Sequence, residues 1–192
     1  TFNLFMFISI YFLYKFHSNL PDNIFNNSRN LFYAGLFTCL AILTKGPVGY
    51  LLPCLIWIGF WIINRKKISF EFKGFTKYTL VSFSLPILWF IGIIIFNSKE
   101  IFEQFIQYHF RLLTTEDASH GGPVYYHFIV LLIGCFPSSL IMLRAFSKNP
   151  NDSSLQNQYK QWMFVVLSVV LIVFSIVNTK IVHYSSLAYF PI

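Results

Sequence analysis

Charged residues are scarce in this chain. Only 11% of its 192 residues are Asp, Glu, Lys or Arg, and 56% are hydrophobic, whereas about 25% of the residues in soluble domains are charged. Acidic residues are the scarcer kind, with seven against fourteen basic ones. This composition excludes an ordinary soluble domain and predicts an all-α, polytopic transmembrane protein, because a helix satisfies its own backbone inside a bilayer.

Cysteine is also rare. Cys39, Cys54 and Cys135 stand singly in apolar runs without metal-ligand or disulfide spacing, so we expect small core residues, no metal and no cofactor. The basic residues flank apolar runs, where they report membrane orientation, and no nucleic-acid partner is expected. The chain also lacks an initiator methionine, and we expect it to be an internal fragment of a longer protein.

Long apolar runs dominate what is present. A bilayer is crossed by about 20 helical residues, and six segments approach that length. They predict a single transmembrane domain, residues 1–192, with spans at 2–16, 31–43, 48–63, 78–96, 125–143 and 162–177 and an outer loop at 97–123.

The loop charges predict an orientation. Residues 64–77 carry five basic side chains against Glu71, and residues 144–161 are also net basic, so both are expected to be cytoplasmic. Loop 97–123 has four acidic and two basic residues, as expected for an outer loop. By alternation, residues 44–47 and 178–184 lie outside too. Three polar loops should therefore share the extracytoplasmic face of an inner-membrane protein.

The outer loop contains an amphipathic pattern. Apolar residues recur at helical spacing from Phe102 to Leu113, opposite a polar face, which predicts an extracytoplasmic interfacial helix. Arg111 lies on the polar face, where its planar guanidinium suits a lipid phosphate. Pairing with the helix dipole or with Gln107 is the alternative.

Polar groups crowd the segment after this helix. Gly121-Gly122-Pro123 precedes the next span, and a helix start of this kind offers free N–H groups to an anion. A solvated loop, in which Glu116 and Asp117 precede or cap that helix, is the alternative.

Two further cations stand at the ends of spans. Lys45 lies between two apolar runs, and Lys180 follows the sixth span together with His183 and Tyr184. Each suits a phosphate as a point charge, although lysines at span ends commonly snorkel to headgroups. Interfacial histidines are usually structural, and we assign His127 that role. Three cations on one face favour a polyanionic headgroup.

Three motifs in the chain carry a family resemblance. They are Leu43-Thr44-Lys45-Gly46-Pro47-Val48, then Arg111-Leu112 followed by Glu116-Asp117, His120-Gly121-Gly122-Pro123 and Tyr125-Tyr126, and finally Thr179-Lys180-Ile181-Val182-His183-Tyr184. In this order, over residues 31–192, they resemble the signatures of the protein mannosyltransferase and aminoarabinose-transferase-like family. These are C-type glycosyltransferases that use polyprenyl-phosphate-linked sugars.

The resemblance implies which residues form the site. The donor lipid phosphate would be held by Lys45, Arg111 and Lys180. The substrate-pocket candidates, from the same motifs, are Glu116, Asp117, His120, Gly121, Gly122, His183 and Tyr184. Family members place the catalytic carboxylate in an outer loop after the first span, and nothing here corresponds to it, so the general base is expected upstream of this chain.

The implied function is a membrane glycosyltransferase. It would move a sugar from a polyprenyl-phosphate-linked donor to a lipid, glycan or protein acceptor on the extracytoplasmic face, among membrane lipids. The alternative is a transporter or flippase of an anionic lipid-linked substrate, which would need the cations but no base. A scaffold without a site would leave the one-sided clustering of cations unexplained.

The loop charges make the topology testable. In a variant that lacks the native cysteines, we expect cysteines at Ser69 and Asp152 to react with an impermeant maleimide only from the cytoplasmic side. A cysteine at Ser119 should react only from outside. Labelling of Ser69 from outside would overturn the orientation and the shared face that depends on it.

Overall fold

The computed structural model of the protein describes residues 1–18, 24–66, 68–96, 99–114, 122–147, 149–177 and 180–192. Every regular element in these ranges is helical, which confirms the predicted all-α fold. The elements are α1 (Phe2–His17), α2 (Ile24–Lys45), α3 (Val48–Asn64), α4 (Phe72–Phe96), α5 (Lys99–Thr114), α6 (Tyr126–Gly134), α7 (Ser138–Ala145), α8 (Ser154–Ile176) and a 3₁₀ helix (Val182–Tyr189).

Local sequence explains where several helices begin and end. α8 starts with a capping box, in which the Ser153 hydroxyl accepts from the Gln156 backbone and the Gln156 side chain accepts from Ser153 N–H. α2 ends at Lys45 because Gly46 adopts a left-handed φ of 74°, which glycine reaches without steric strain. Pro47 then precedes α3, so a two-residue turn joins α2 and α3 as the predicted hairpin.

The helices pack around α2 and α3. α1 and α4 lie against α2, while α3 packs on α8, and the 3₁₀ helix contacts α8, α6 and α1. Large aromatic side chains fill the centre: Trp57, Phe60 and Trp162 are fully buried, and the rings of Phe60 and Trp162 stack with centroids 4.4 Å apart. This packing brings residues from distant parts of the chain to the same end of the helices.

Within the described ranges, two helices are long and apolar enough to cross a membrane, by length and composition. They are α4, with 25 residues, and α8, with 23. α6 and α7 pass the same test only as a pair, and a bend of 105° separates them. The other three predicted spans fall in α1, α2 and α3, and the count of six spans stays a prediction.

The bend between α6 and α7 differs from the single segment predicted over residues 125–143. Three residues, Cys135 to Pro137, separate the two helices. Proline has no N–H to donate, and its ring clashes with the preceding turn, so it breaks a helix at this point. The hydropathy of the run predicted a membrane segment but not its change of direction.

The extracytoplasmic, interfacial position of the amphipathic helix stays a prediction. The helix itself is present as α5. It packs against α4, where the Phe90 ring lies 5.4 Å from that of Phe102 and 5.0 Å from that of Phe105. The apolar side of α5 is therefore turned to α4, as its helical spacing indicated.

A chain of buried hydroxyl groups crosses three helices. The Ser9 hydroxyl of α1 lies 2.7 Å from the Thr38 hydroxyl of α2, which lies 2.8 Å from the Tyr78 hydroxyl of α4. All three side chains are fully buried. Hydrogen bonds between helices stabilise association in an apolar medium, where a polar group without a partner is unfavourable.

This chain predicts that Thr38→Val lowers the free energy of unfolding by about 1–2 kcal/mol. The substitution keeps the shape of the side chain but removes the central hydroxyl, so Ser9 and Tyr78 each lose one hydrogen-bond partner. Denaturant unfolding of the purified protein in detergent would measure the change. Thr76→Val is the control, because Thr76 is exposed and its hydroxyl donates to a carbonyl of its own helix. Equal effects of the two substitutions would contradict a special role for the hydroxyl chain.

Candidate functional site

Lys45 lies at the end of α2 between two aromatic rings. Its ammonium nitrogen is 5.3 Å from the ring centroid of Tyr184 and 5.4 Å from that of Phe2. A cation at this distance over a ring is attracted by the ring's quadrupole. The side chain is otherwise exposed. The ammonium is therefore held in a defined place beside Tyr184, on an exposed side chain.

The 3₁₀ helix places Tyr184 beside Lys45. Its ring lies 5.7 Å from that of Phe174 on α8, and the Asn3 side chain of α1 donates a hydrogen bond to the Ser186 hydroxyl. Ser185 is fully buried. The element that carries Tyr184 is thus fixed to both α1 and α8, which makes the distance to Lys45 a consequence of packing and not of loop conformation.

Lys180 closes the end of α8. Its ammonium donates three hydrogen bonds to backbone carbonyls, at 3.1 Å to Phe174, 2.7 Å to Ser175 and 2.7 Å to Val177. These are carbonyls that the end of a helix leaves without partners, and a cation there also suits the helix dipole. Lys180 is only 6% exposed. Its removal from water lowers the pKa of the ammonium from its ordinary value.

The three donors of Lys180 are therefore already used. The sequence predicted an ammonium turned to a phosphate, and in this structure the same group is directed into its own backbone. The charge remains at the end of α8, but the hydrogen bonds are made within the protein.

Gly122 lies directly against Lys180. A Cβ atom at Gly122 would be 3.0 Å from Lys180 Cγ and 3.4 Å from its Cβ, so the absence of a side chain allows this approach. Gly122 belongs to the segment before α6 and Lys180 to the segment after α8. The structure thus joins the second and third motifs of the sequence, while Tyr184 joins the third to the first through Lys45.

These contacts define one cationic cluster, formed by Lys45, Gly122, Phe174, Lys180 and Tyr184. It gathers the end of α2, the approach to α6, the end of α8 and the 3₁₀ helix. Three loops that the sequence expected on one face therefore meet at one end of the helices.

Arg111 lies on a separate element. It is exposed on α5, and its guanidinium carbon is 5.7 Å from the ring centroid of Tyr108 on the same helix. The interfacial helix presents the arginine at the surface, as predicted. α5 packs on α4, whereas the cationic cluster is built from α2, α6, α8 and the 3₁₀ helix.

Several predicted pocket residues fall outside the described parts of the chain. They are Glu116, Asp117, His120 and Gly121, together with the side chain of His183. Among the residues that the structure describes, no group of three His, Cys, Asp or Glu side chains is placed to hold a metal ion.

His127 was assigned a structural role from the sequence, and the structure shows a feature that the pattern did not signal. The imidazole is fully buried in the first turn of α6, with its ring 5.2 Å from that of Tyr126 and 6.0 Å from that of Phe174. In the described part of the chain neither ring nitrogen has a hydrogen-bond partner. A buried polar ring without a partner is exceptional in a folded protein, and this one borders the cationic cluster.

The arrangement is suited to binding an anion. The exposed Lys45 ammonium stands beside the Tyr184 phenol, and the buried Lys180 ammonium, with Gly122 packed against its side chain, belongs to the same cluster. Such a group can stabilise negative charge that grows on an oxygen, because its positive groups are fixed before the charge appears.

The fold is that of ArnT. The crystal structure of ArnT from Cupriavidus metallidurans bound to undecaprenyl phosphate matches 100% of this chain with a TM-score of 0.79 at 18% identity, and the chain covers 34% of it. No family model matches. The all-α membrane fold predicted from the sequence is confirmed by this likeness.

Curated relatives also match part of the chain. An uncharacterized protein of Aquifex aeolicus is 30% identical over 152 residues, which are 78% of this chain and 33% of the relative. The undecaprenyl phosphate-alpha-4-amino-4-deoxy-L-arabinose arabinosyl transferase of Shewanella sediminis is 29% identical over 118 residues, 60% of this chain and 21% of its own. The chain thus spans a third or less of these two relatives. The resemblance that the three motifs indicated is confirmed.

The capping of α8 predicts that Lys180→Met lowers the free energy of unfolding by about 1.5–3 kcal/mol, since hydrogen bonds from a charged donor are lost and three carbonyls are stranded. Unfolding in detergent would measure this. Lys160→Met is the control, because it loses a partly exposed ion pair with Asp152 at 2.6 Å and should change stability by less than about 1 kcal/mol. A loss for Lys180→Met no larger than that of the control would contradict the capping role.

Proposed function

We propose, on the premise that this chain has the fold of ArnT, that it is part of a membrane glycosyltransferase. The enzyme would move a sugar from a polyprenyl-phosphate-linked donor to a lipid, glycan or protein acceptor, on the extracytoplasmic face of the inner membrane. The observation that carries the proposal is the Lys45 ammonium, held beside Tyr184 where three polar loops meet. The name of the Shewanella relative, an undecaprenyl phosphate-linked sugar transferase, supports the donor class.

The chemistry of this reaction explains the need for cations. The bond between the anomeric carbon of the sugar and a phosphate oxygen breaks, and its electron pair stays on the leaving lipid phosphate. Meanwhile the acceptor hydroxyl forms the new bond to carbon and gives up its proton. Positive groups near the phosphate stabilise the transition state because the negative charge increases there as the bond breaks.

Lys45 and Arg111 take the direct role in this proposal. Both side chains are exposed, so a phosphate that arrives from the lipid can approach their charges. Arg111 would add a planar pair of donors from the interfacial helix, which lies where a lipid headgroup is expected. Tyr184 can donate its hydroxyl to the same phosphate, because its ring adjoins the Lys45 ammonium.

Lys180 takes an indirect role. Its three donors are bound to the carbonyls of α8, so it would contribute charge at short range and keep Tyr184 in place. A direct bond from Lys180 to the phosphate would require at least one of these hydrogen bonds to open. The contribution of Lys180 to phosphate binding should therefore depend on the same three hydrogen bonds that stabilise the end of α8.

The proton of the acceptor needs a base. No described residue of the cationic cluster is a carboxylate, and the cations cannot accept a proton while charged. As the family resemblance implies, we propose that the general base lies upstream of this chain. Glu116 and Asp117 are proposed as contacts on the acceptor side, with His120, Gly121, Gly122 and His183 around the sugar.

The proposal predicts that Lys45→Met in the intact protein weakens binding of undecaprenyl phosphate roughly ten- to a hundredfold, the effect expected when a charge-assisted hydrogen bond is lost. Transfer of sugar from an undecaprenyl-phosphate donor should fall at least as far. Arg111→Lys should weaken binding less, since it keeps the charge but not the planar donors.

Arg144→Met provides the matched control. Arg144 lies in the last turn of α7. The sequence predicts that residues 144–161 are cytoplasmic, so loss of the Arg144 side chain should leave phosphate binding unchanged. Equal losses for Lys45→Met and Arg144→Met would indicate general electrostatics and contradict a phosphate site. Intact binding without any transfer by the unsubstituted protein would favour the transporter alternative.

A further inference from the structure

A second charged surface lies at the beginning of α4. An open groove of about 570 Å³ runs along the first turns of this helix. Its lining combines two lysines, one threonine and apolar side chains: Phe72, Lys73, Thr76, Lys77, Leu80 and Val81. The proposed phosphate site does not include these residues.

The groove and the cationic cluster lie at opposite ends of α2. The Lys77 ammonium donates a hydrogen bond to the hydroxyl of Ser28, which is near the start of α2, whereas Lys45 is its last residue. Seventeen residues of helix separate Ser28 from Lys45, a rise of about 26 Å. A ligand of the groove would therefore meet the other face of the membrane.

The charged lining of the groove is positive. Lys73 and Lys77 are one helical turn apart, so their side chains leave the same side of α4, and both are exposed. The hydrogen bond from Lys77 to Ser28 draws one ammonium toward α2. The carboxylate of Glu71 lies beside Gly74, 3.2 Å from where a Cβ would stand, and Gly74 is buried, away from the groove.

Below the lysines, the apolar surface continues along the helix. Leu80 is 69% exposed, Leu88 64% and Ile95 69%. α4 crosses a membrane by length and composition, yet only 11% of its most apolar window is buried within the protein. Leu80 to Leu88 rises about 12 Å, on the order of the depth of one leaflet. Two ammonium groups thus sit above a strip that fits an acyl chain.

We infer that this groove binds the headgroup of an anionic phospholipid, with an acyl chain along Leu80 and Leu88. The ammonium groups of Lys73 and Lys77 would hold the phosphodiester. A headgroup without a positive charge would not repel these two ammonium groups. A zwitterionic headgroup would bring its own ammonium toward Lys73 and Lys77. Each basic side chain near such a surface contributes about 1 kcal/mol of attraction.

The test is native mass spectrometry of the intact protein in detergent, titrated with phosphatidylglycerol or phosphatidylethanolamine. Phosphatidylglycerol should bind more tightly. The double variant Lys73→Ala/Lys77→Ala should weaken that binding roughly ten- to thirtyfold. Lys73→Ala alone leaves the bond between Lys77 and Ser28 intact, and it should weaken binding about fivefold with an unchanged unfolding curve.

Arg65→Ala/Lys66→Ala is the matched control, because it removes the same charge from the same boundary but outside the groove. It should change binding less than threefold. An equal loss in the two double variants, or equal affinity for both phospholipids, would overturn the site.

Displacement of the lipid by equimolar glycerol 3-phosphate would show a site for a soluble phosphate instead. A photocrosslinker at Leu80 that captures protein and not lipid would also contradict the inference.

Discussion

The end of α8 is closed by a lysine, and the site depends on that closure. Backbone carbonyls at a helix end need partners, and the need is strongest where apolar surroundings offer no water. The Lys180 ammonium supplies three donors to this end. Because Gly122 packs on the same side chain and the 3₁₀ helix follows directly, the capping interaction also determines where the approach to α6 and Tyr184 stand relative to α8.

The sequence could predict the residue types of the site because they break long apolar runs. Lys45, Gly122, Lys180 and Tyr184 were all selected from their places at the ends of spans, and the structure brings them together. Their partners were not predictable. The neighbour of Lys45 is Tyr184, far along the chain, and the distance between them follows from packing of the 3₁₀ helix against α1 and α8. Such contacts have no period or spacing that a sequence pattern records.

For the fold, too, the composition predicted which segments are helical but not how the helices are directed. Apolar runs predicted α4, α8 and the α2–α3 hairpin. Gly46 forms the turn of this hairpin with its positive φ. The 105° bend between α6 and α7 did not follow from hydropathy, because hydropathy reports where a segment is apolar and not which way it points. Pro137 was the available signal. The loop that holds Glu116 and Asp117 lies outside the described residues, so this part of the site rests on the sequence alone.

The lysines of this protein carry the same charge but have different roles, and the burial of each side chain distinguishes these roles. Lys180 is buried, its donors are satisfied by backbone, and its effect passes through structure. Lys45 is exposed, and its charge lies over the rings of Phe2 and Tyr184. Lys73 and Lys77 are exposed above an apolar helix face. A count of basic residues treats all four lysines alike, because it registers charge and not burial or hydrogen bonding. Binding a particular ligand also depends on whether the ammonium is buried and bound to backbone, as in Lys180, or exposed, as in Lys45, and only the structure shows this difference.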